Sequence, residues 1–209
     1  MAQEKPVKAT FDYAARYEVT ATYKSPLRTG GANGNVDEVL CDQNGMALVQ
    51  GSSLTGAVRG WMEGQGGARK ALAATLFGSQ ERGGQLAFTN GVFEDNAQVQ
   101  IRPRLAIDGE KGTARDKAKF DVAHVNVGAV FSFCVFWMGM HGQQQPACDA
   151  LEDAFAALHW GDIRLGGQKS NGFGRVELEV CRAEYDMRGP NDRKAWGRED
   201  KAGEAVSLA

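Results

Sequence analysis

Runs rich in β-branched and aromatic residues, set around two amphipathic helical segments, predict an α+β fold. Their order along the chain is strand, helix, strands, strand, helix, strand, the β-α-β-β-α-β order of a ferredoxin-like or RNA-recognition-like core. Glycine supplies 27 of the 209 residues, about twice its usual share, while proline supplies only 5. Glycine excess without proline points to tight turns and close backbone approaches between elements, not to a low-complexity linker.

Each element has its own justification. In residues 9–23 (ATFDYAARYEVTATY), Tyr17, Val19 and Ala21 share one face and Glu18 and Thr20 the other, the period of a half-buried strand. The following stretch crowds glycine and asparagine between Gly30 and Asn35 and carries a turn signal at Asn44-Gly45. A loop this long in a compact domain is usually functional. Residues 52–63 set Leu54, Ala57, Val58, Trp61 and Met62 at helical spacing, with Ser52 or Ser53 as N-cap. The opposite face holds Gly56 and Gly60, each costing about 1 kcal/mol of helix propensity relative to alanine. Two such costs on one face imply that something approaches that backbone closely.

A short helix over 68–78 ends on Gly78, and strand-like runs cover 85–95 and 98–108. A charged, apolar-poor stretch then spans Gly109 to Lys119. A hydrophobic strand over 129–140 leads to a second amphipathic helix, about Ala147 to His159, burying Cys148, Leu151, Phe155 and Leu158. The loop RLGGQKSNGFG (164–174) enters an alternating strand over 175–186. The expected organisation is one domain over 1–187 and a loosely ordered polar tail over 188–209.

Composition narrows the function. Hydrophobic residues at 43% and charged residues at 24% exclude wholesale disorder. No apolar run approaches a membrane span and the N-terminus has no apolar signal core, so the expectation is a soluble, cytoplasmic protein with no membrane partner. A net charge of −2 argues against a purely electrostatic nucleic-acid binder. Cys41, Cys134, Cys148 and Cys181 form no CxxC pair, and His124, His141 and His159 lack ligand spacing, so the cysteines read as reduced and mostly buried and no transition-metal site is visible.

The motifs that remain suit a phosphate backbone. GGQKSNGFGR (166–175) lacks the Lys-Ser/Thr of a nucleotide-binding loop and runs from helix to strand, the wrong direction for one. Its main-chain amides still suit a phosphate backbone, with charge added by Lys169 and Arg175. Ser52 and Ser53 sit where a helix N-terminus offers N–H groups to phosphate or sugar. Residues 98–121 carry six basic side chains, Arg102 and Arg104 among them, against four acidic ones.

In combination these pieces resemble a known family. GGANGNVDEVLCD (30–42), GSSLTGAVRG (51–60), LFG (76–78), RPRLAIDGEKGTARDKAKFD (102–121) with the strand entry at Gly128–Phe131, and GGQKSNGFGRVE (166–177) resemble the RAMP superfamily of CRISPR proteins. Within it they are most similar to the backbone subunits of type III effector complexes. The resemblance implies a subunit that stacks along a guide RNA beside other RAMP subunits and the large signalling subunit, and that meets a complementary target RNA. It implies guide contacts at Ser52, Ser53, Arg59 and Lys169, and a thumb hairpin at about 104–127. It also implies that Asp37, with Asp42 nearby, supports target-RNA cleavage with Mg2+ or another divalent cation. The chain departs from the family pattern at Thr55, where lysine is common, and at Gln50, where proline is.

The chemistry asked of one loop acid is modest. RNA brings its own 2′-OH nucleophile, and a kinked backbone aligns it with the adjacent phosphorus. The alternative is a non-catalytic scaffold of the same complex, which differs at Asp37 alone. A metal-independent guide-precursor endonuclease would instead need a histidine for acid–base work, for which His124 is the candidate.

Overall fold

The computed structural model describes residues 11–28, 39–94, 97–107 and 114–208, and no side chain within 104–107 or 114–120. In chain order the elements are β1 (Tyr13–Tyr23), β2 (Leu48–Val49), α1 (Gly51–Gly64), α2 (Gly67–Phe77), β3 (Leu86–Phe88), β4 (Gly91–Phe93), β5 (Val99–Ile107), β6 (Ala114–Val125), β7 (Val130–Gly139), α3 (Gln144–Trp160), β8 (Val176–Asp186), α4 (Pro190–Arg198) and β9 (Glu204–Ala205). The main sheet runs β2-β4-β7-β1-β8-β9, with β3 also on β7, and all its pairs are antiparallel. β8-β1-β7-β4 with α1 and α3 is the expected ferredoxin-like core, carrying a hairpin insertion.

Alternation fixes which face is buried. Tyr17, Val19 and Ala21 of β1 and Phe131, Val135 and Trp137 of β7 point inward against Leu54, Val58 and Met62 of α1 and Leu151, Phe155 and Leu158 of α3. Each fully buried large apolar side chain contributes about 1.5–3 kcal/mol relative to exposure. At the edge of this layer Arg182 pairs with Glu152 of α3 and with Glu184 (3.1 Å), tying β8 to the helix.

Several expectations are corrected. The first turn of α1 is not capped by serine: its N-cap is Gln50, and the Gly51 N–H donates to Asn90 Oδ1 (2.9 Å) from the turn between β3 and β4. The charged stretch to Lys119 belongs largely to a strand, since β6 pairs with β5 as a separate two-stranded hairpin. The tail after Arg188 is not loose. It forms α4 on the outer sheet face and β9 against β8, because Trp196 packs edge-on against Phe136 and Tyr185 (5.6 and 5.1 Å). All four cysteines are free, but only Cys148 is buried and Cys41 is exposed.

Candidate nucleic-acid interface

Three parts converge beside α1, the segment after β1, the β5–β6 hairpin and the glycine loop, and hydrogen bonds, mostly main-chain, assemble them. The segment after β1 is the hub. Leu27 exchanges N–H···O bonds with Val125 at the base of the β5–β6 hairpin (3.2 and 2.8 Å). From the other side, Pro26 O accepts from Gly174 N–H (3.0 Å), Arg28 O from Gly167 N–H (2.8 Å) and Ser25 Oγ from Arg175 N–H (2.9 Å). The glycine loop and the hairpin are therefore fastened to the same four residues, Ser25 to Arg28. His124 of β6 and Phe173 of the loop, with ring centres 6.0 Å apart, close the contact.

The loop's own shape depends on Gly174. Its φ of +81° is a left-handed conformation, and a Cβ there would lie 1.9 Å from the Leu165 carbonyl oxygen. Arg164 adds a strut by donating through Nη1 to Lys169 O (3.2 Å). Between this loop and α1 lies a groove of about 360 Å³, lined by Gln50, Ser53, Gly56, Gly166, Gly167 and Lys169 among others. Gly56 and Gly60 face outward, and a Cβ at either would meet nothing of the chain within 4 Å. Among the described residues, nothing of the chain fills the space left open at these two glycines.

The expected site residues fall into groups. Ser53 and Lys169 meet in the groove. Ser52 is exposed in the same helical turn. Arg59 is half-exposed and bonded to Glu63 (2.8 Å), one helical turn on. Arg175 is exposed at the start of the strand, and Arg102 is exposed on the hairpin. Arg104 lies on β5 with its side chain outside the described residues, and Asp37 lies outside them altogether. Asp42 is a turn former, its Oδ1 accepting from the N–H groups of Asn44 (2.8 Å) and Met46 (3.0 Å). His124 is only 1% exposed, which denies it the access to an RNA hydroxyl that acid–base work requires.

Among the described residues, no three His, Cys, Asp or Glu side chains gather as a metal site. Nor is any helix among them long and apolar enough to cross a membrane. Arg164, Ser25 and Pro26 were not singled out from sequence. Arg164 adjoins the glycine motif, which was its one available signal.

Fold and groove together define a ferredoxin-like α+β domain with a glycine loop docked on its first helix. The chain belongs to the RAMP superfamily, whose model matches residues 20–177, from within β1 to just past the glycine loop. No curated protein matches the sequence. Among solved structures, the chain is similar to a chain in the cryo-EM structure of the type III-B Cmr-beta bound to cognate target RNA. The two are 17% identical with a TM-score of 0.60, over 94% of this chain and 62% of that one. At that identity the likeness concerns the fold.

Proposed function

We propose that the chain is a guide-RNA-binding backbone subunit of a type III CRISPR ribonucleoprotein. The observation that carries this is the groove: a helix start bearing Ser52 and Ser53 lies across from Gly166, Gly167 and Lys169 of a glycine loop, beside a hairpin fastened to the same segment. Serine hydroxyls, one lysine and glycines that let a strand come close to the backbone suit a sugar–phosphate chain without reading sequence, as befits a protein that leaves sequence to base pairing. The outer sheet face, where RNA-recognition domains stack bases, is partly covered here by α4. That leaves the α1 groove as the better-suited surface.

Cleavage of paired target RNA is assigned to Asp37. Asp37 would hold the divalent ion, which would polarise the scissile phosphate, and RNA phosphate and water would supply further ligands, a mode Mg2+ accepts. Two experiments test the reading. Lys169→Ala should weaken binding of single-stranded RNA and reduce the salt slope by about 0.7, one phosphate contact. The assembled, guide-loaded particle should lose a cut site in complementary RNA on Asp37→Ala, with target binding kept and wild-type cutting abolished by chelator. Unchanged cutting would make the subunit a scaffold. Failure to retain any RNA would remove the reading altogether.

A further inference from the structure

The groove does not end at Lys169. A second stretch lined by Gly60, Trp61, Asp162 and Arg164 continues it. That stretch shares Trp61 and Asp162 with a cleft of about 350 Å³ to which Arg69, Asp153 and Trp160 are added. This cleft lies between the C-terminal half of α1, the start of α2 and the end of α3.

The chemistry changes along this path. Lys169 and Arg164 suit phosphate. Farther on, Trp160 is 60% exposed yet held in place: its Nε1 donates to Leu208 O (3.0 Å), and its ring stands edge-on to His159 at 5.0 Å. Across the cleft the Arg69 guanidinium lies 5.9 Å from the centre of the Trp61 ring, anchored by Asp153 Oδ2 at 2.5 Å. A fixed, exposed indole near a guanidinium–indole stack is a platform for a flat π-system. Asp153 holds Arg69, and Asp162 on the same wall supplies a carboxylate able to accept from the amino groups on base edges.

Building on the RNA-binding reading above, we propose that the α1–α3 cleft is a base-stacking site. It takes one nucleobase of the same strand whose backbone lies at Ser53 and Lys169. Ser53 and Trp61 are eight helical residues apart, about 12 Å, so the two ends serve nearby nucleotides of one strand.

The test uses the full chain and labelled single-stranded RNA, read by fluorescence anisotropy, with a second RNA of equal length carrying abasic sites along its length. Trp160→Ala should weaken binding of the base-bearing RNA roughly 5- to 150-fold, the range for loss of one stacked base, with the salt slope unchanged. It should leave the abasic RNA unaffected, and Trp160→Phe should keep most of the affinity. Thermal unfolding of both variants checks that the fold is intact. Wild-type affinity in Trp160→Ala, alongside weakened Lys169→Ala, would overturn the base site and leave the RNA reading standing. Absence of RNA binding by the wild-type chain would remove both. Equal losses on the two RNAs, or loss of association with other subunits alone, would assign Trp160 to the fold or to a protein contact and overturn the proposal.

Discussion

At the scale of single residues, two glycines six residues or fewer from Lys169 separate backbone strain from steric fit. Gly172 and Gly174 both hold positive φ, +84° and +81°, but a Cβ at Gly172 meets nothing within 4 Å while one at Gly174 runs into Leu165 O. Alanine at 172 should therefore cost only the left-handed conformation, about 1–2 kcal/mol. Alanine at 174 adds overpacking of about 1–3 kcal/mol and should also loosen the loop on which the groove depends. Urea unfolding of the two variants measures the difference, and equal costs would refute the steric argument. The cysteines give a second comparison. Burial pushes the Cys148 thiol up, so it carries less thiolate at neutral pH, whereas Cys41 is exposed. A thiol reagent should label Cys41 in the native protein and reach Cys148 only on unfolding.

At the scale of elements, α1 sets helix stability against binding. Gly56 and Gly60 have open space at the Cβ position, so changing both to alanine should stabilise the helix by roughly 1–2 kcal/mol in total. The added methyls line the groove floor, so the same double variant should bind RNA less well. A rise in Tm with unchanged RNA affinity would show that nothing docks on that face. The sequence made this helix legible because Leu54, Val58 and Met62 repeat with the period of the core they enter, and β1, β7, α3 and β8 were legible on the same ground. The hairpin strand β6 was harder to see. Its charged first half, Ala114 to Lys119, belongs to a two-stranded sheet apart from the main one, where no apolar alternation is demanded of it. The cap of α1 by Asn90 joins residues 39 positions apart, and the bonds joining loop, hub and hairpin are mostly main-chain, so neither leaves a mark in residue type. Ser53 and Lys169 could be read as parts of one site through the family resemblance; the bonds that bring them together could not.

At the scale of the whole molecule, the C-terminal segment acts as a strap across the outer sheet face. Arg16 sits beneath it with a side chain only 5% exposed, bonded to Glu18 (2.8 Å) and donating to the carbonyls of Glu199 (2.5 Å) and Lys201 (3.0 Å). Beside it Ala14, Ala183, Tyr185 and Met187 form a second apolar cluster packed against Ala195 and Trp196. Lys201 completes the strap, its ammonium 5.2 Å from the Tyr185 ring centre and within 3.4 Å of Asp192. Low apolar content hid α4 from the sequence reading, because Trp196 and Ala195 alone supply its contact with this cluster. Ending the chain at Arg188 would rehydrate Arg16, so no charge is stranded, and the cost is the uncovered apolar cluster together with the packing of Val206 and Leu208 on the main core. One or two large side chains at about 1.5–3 kcal/mol each set that cost at about 1.5–6 kcal/mol, a fall in Tm of roughly 3–24 °C. A dispensable polar tail would leave Tm where it was. The α1 groove lies on the other face of the sheet, but the cut also removes Leu208, the acceptor that holds Trp160. At a temperature where both forms are folded, the shortened chain should therefore keep the Lys169-dependent salt slope and lose no more affinity for single-stranded RNA than Trp160→Ala does. A larger loss than that of Trp160→Ala, with the fold intact, would instead place RNA on the outer face, and would move the site from α1 to the strap.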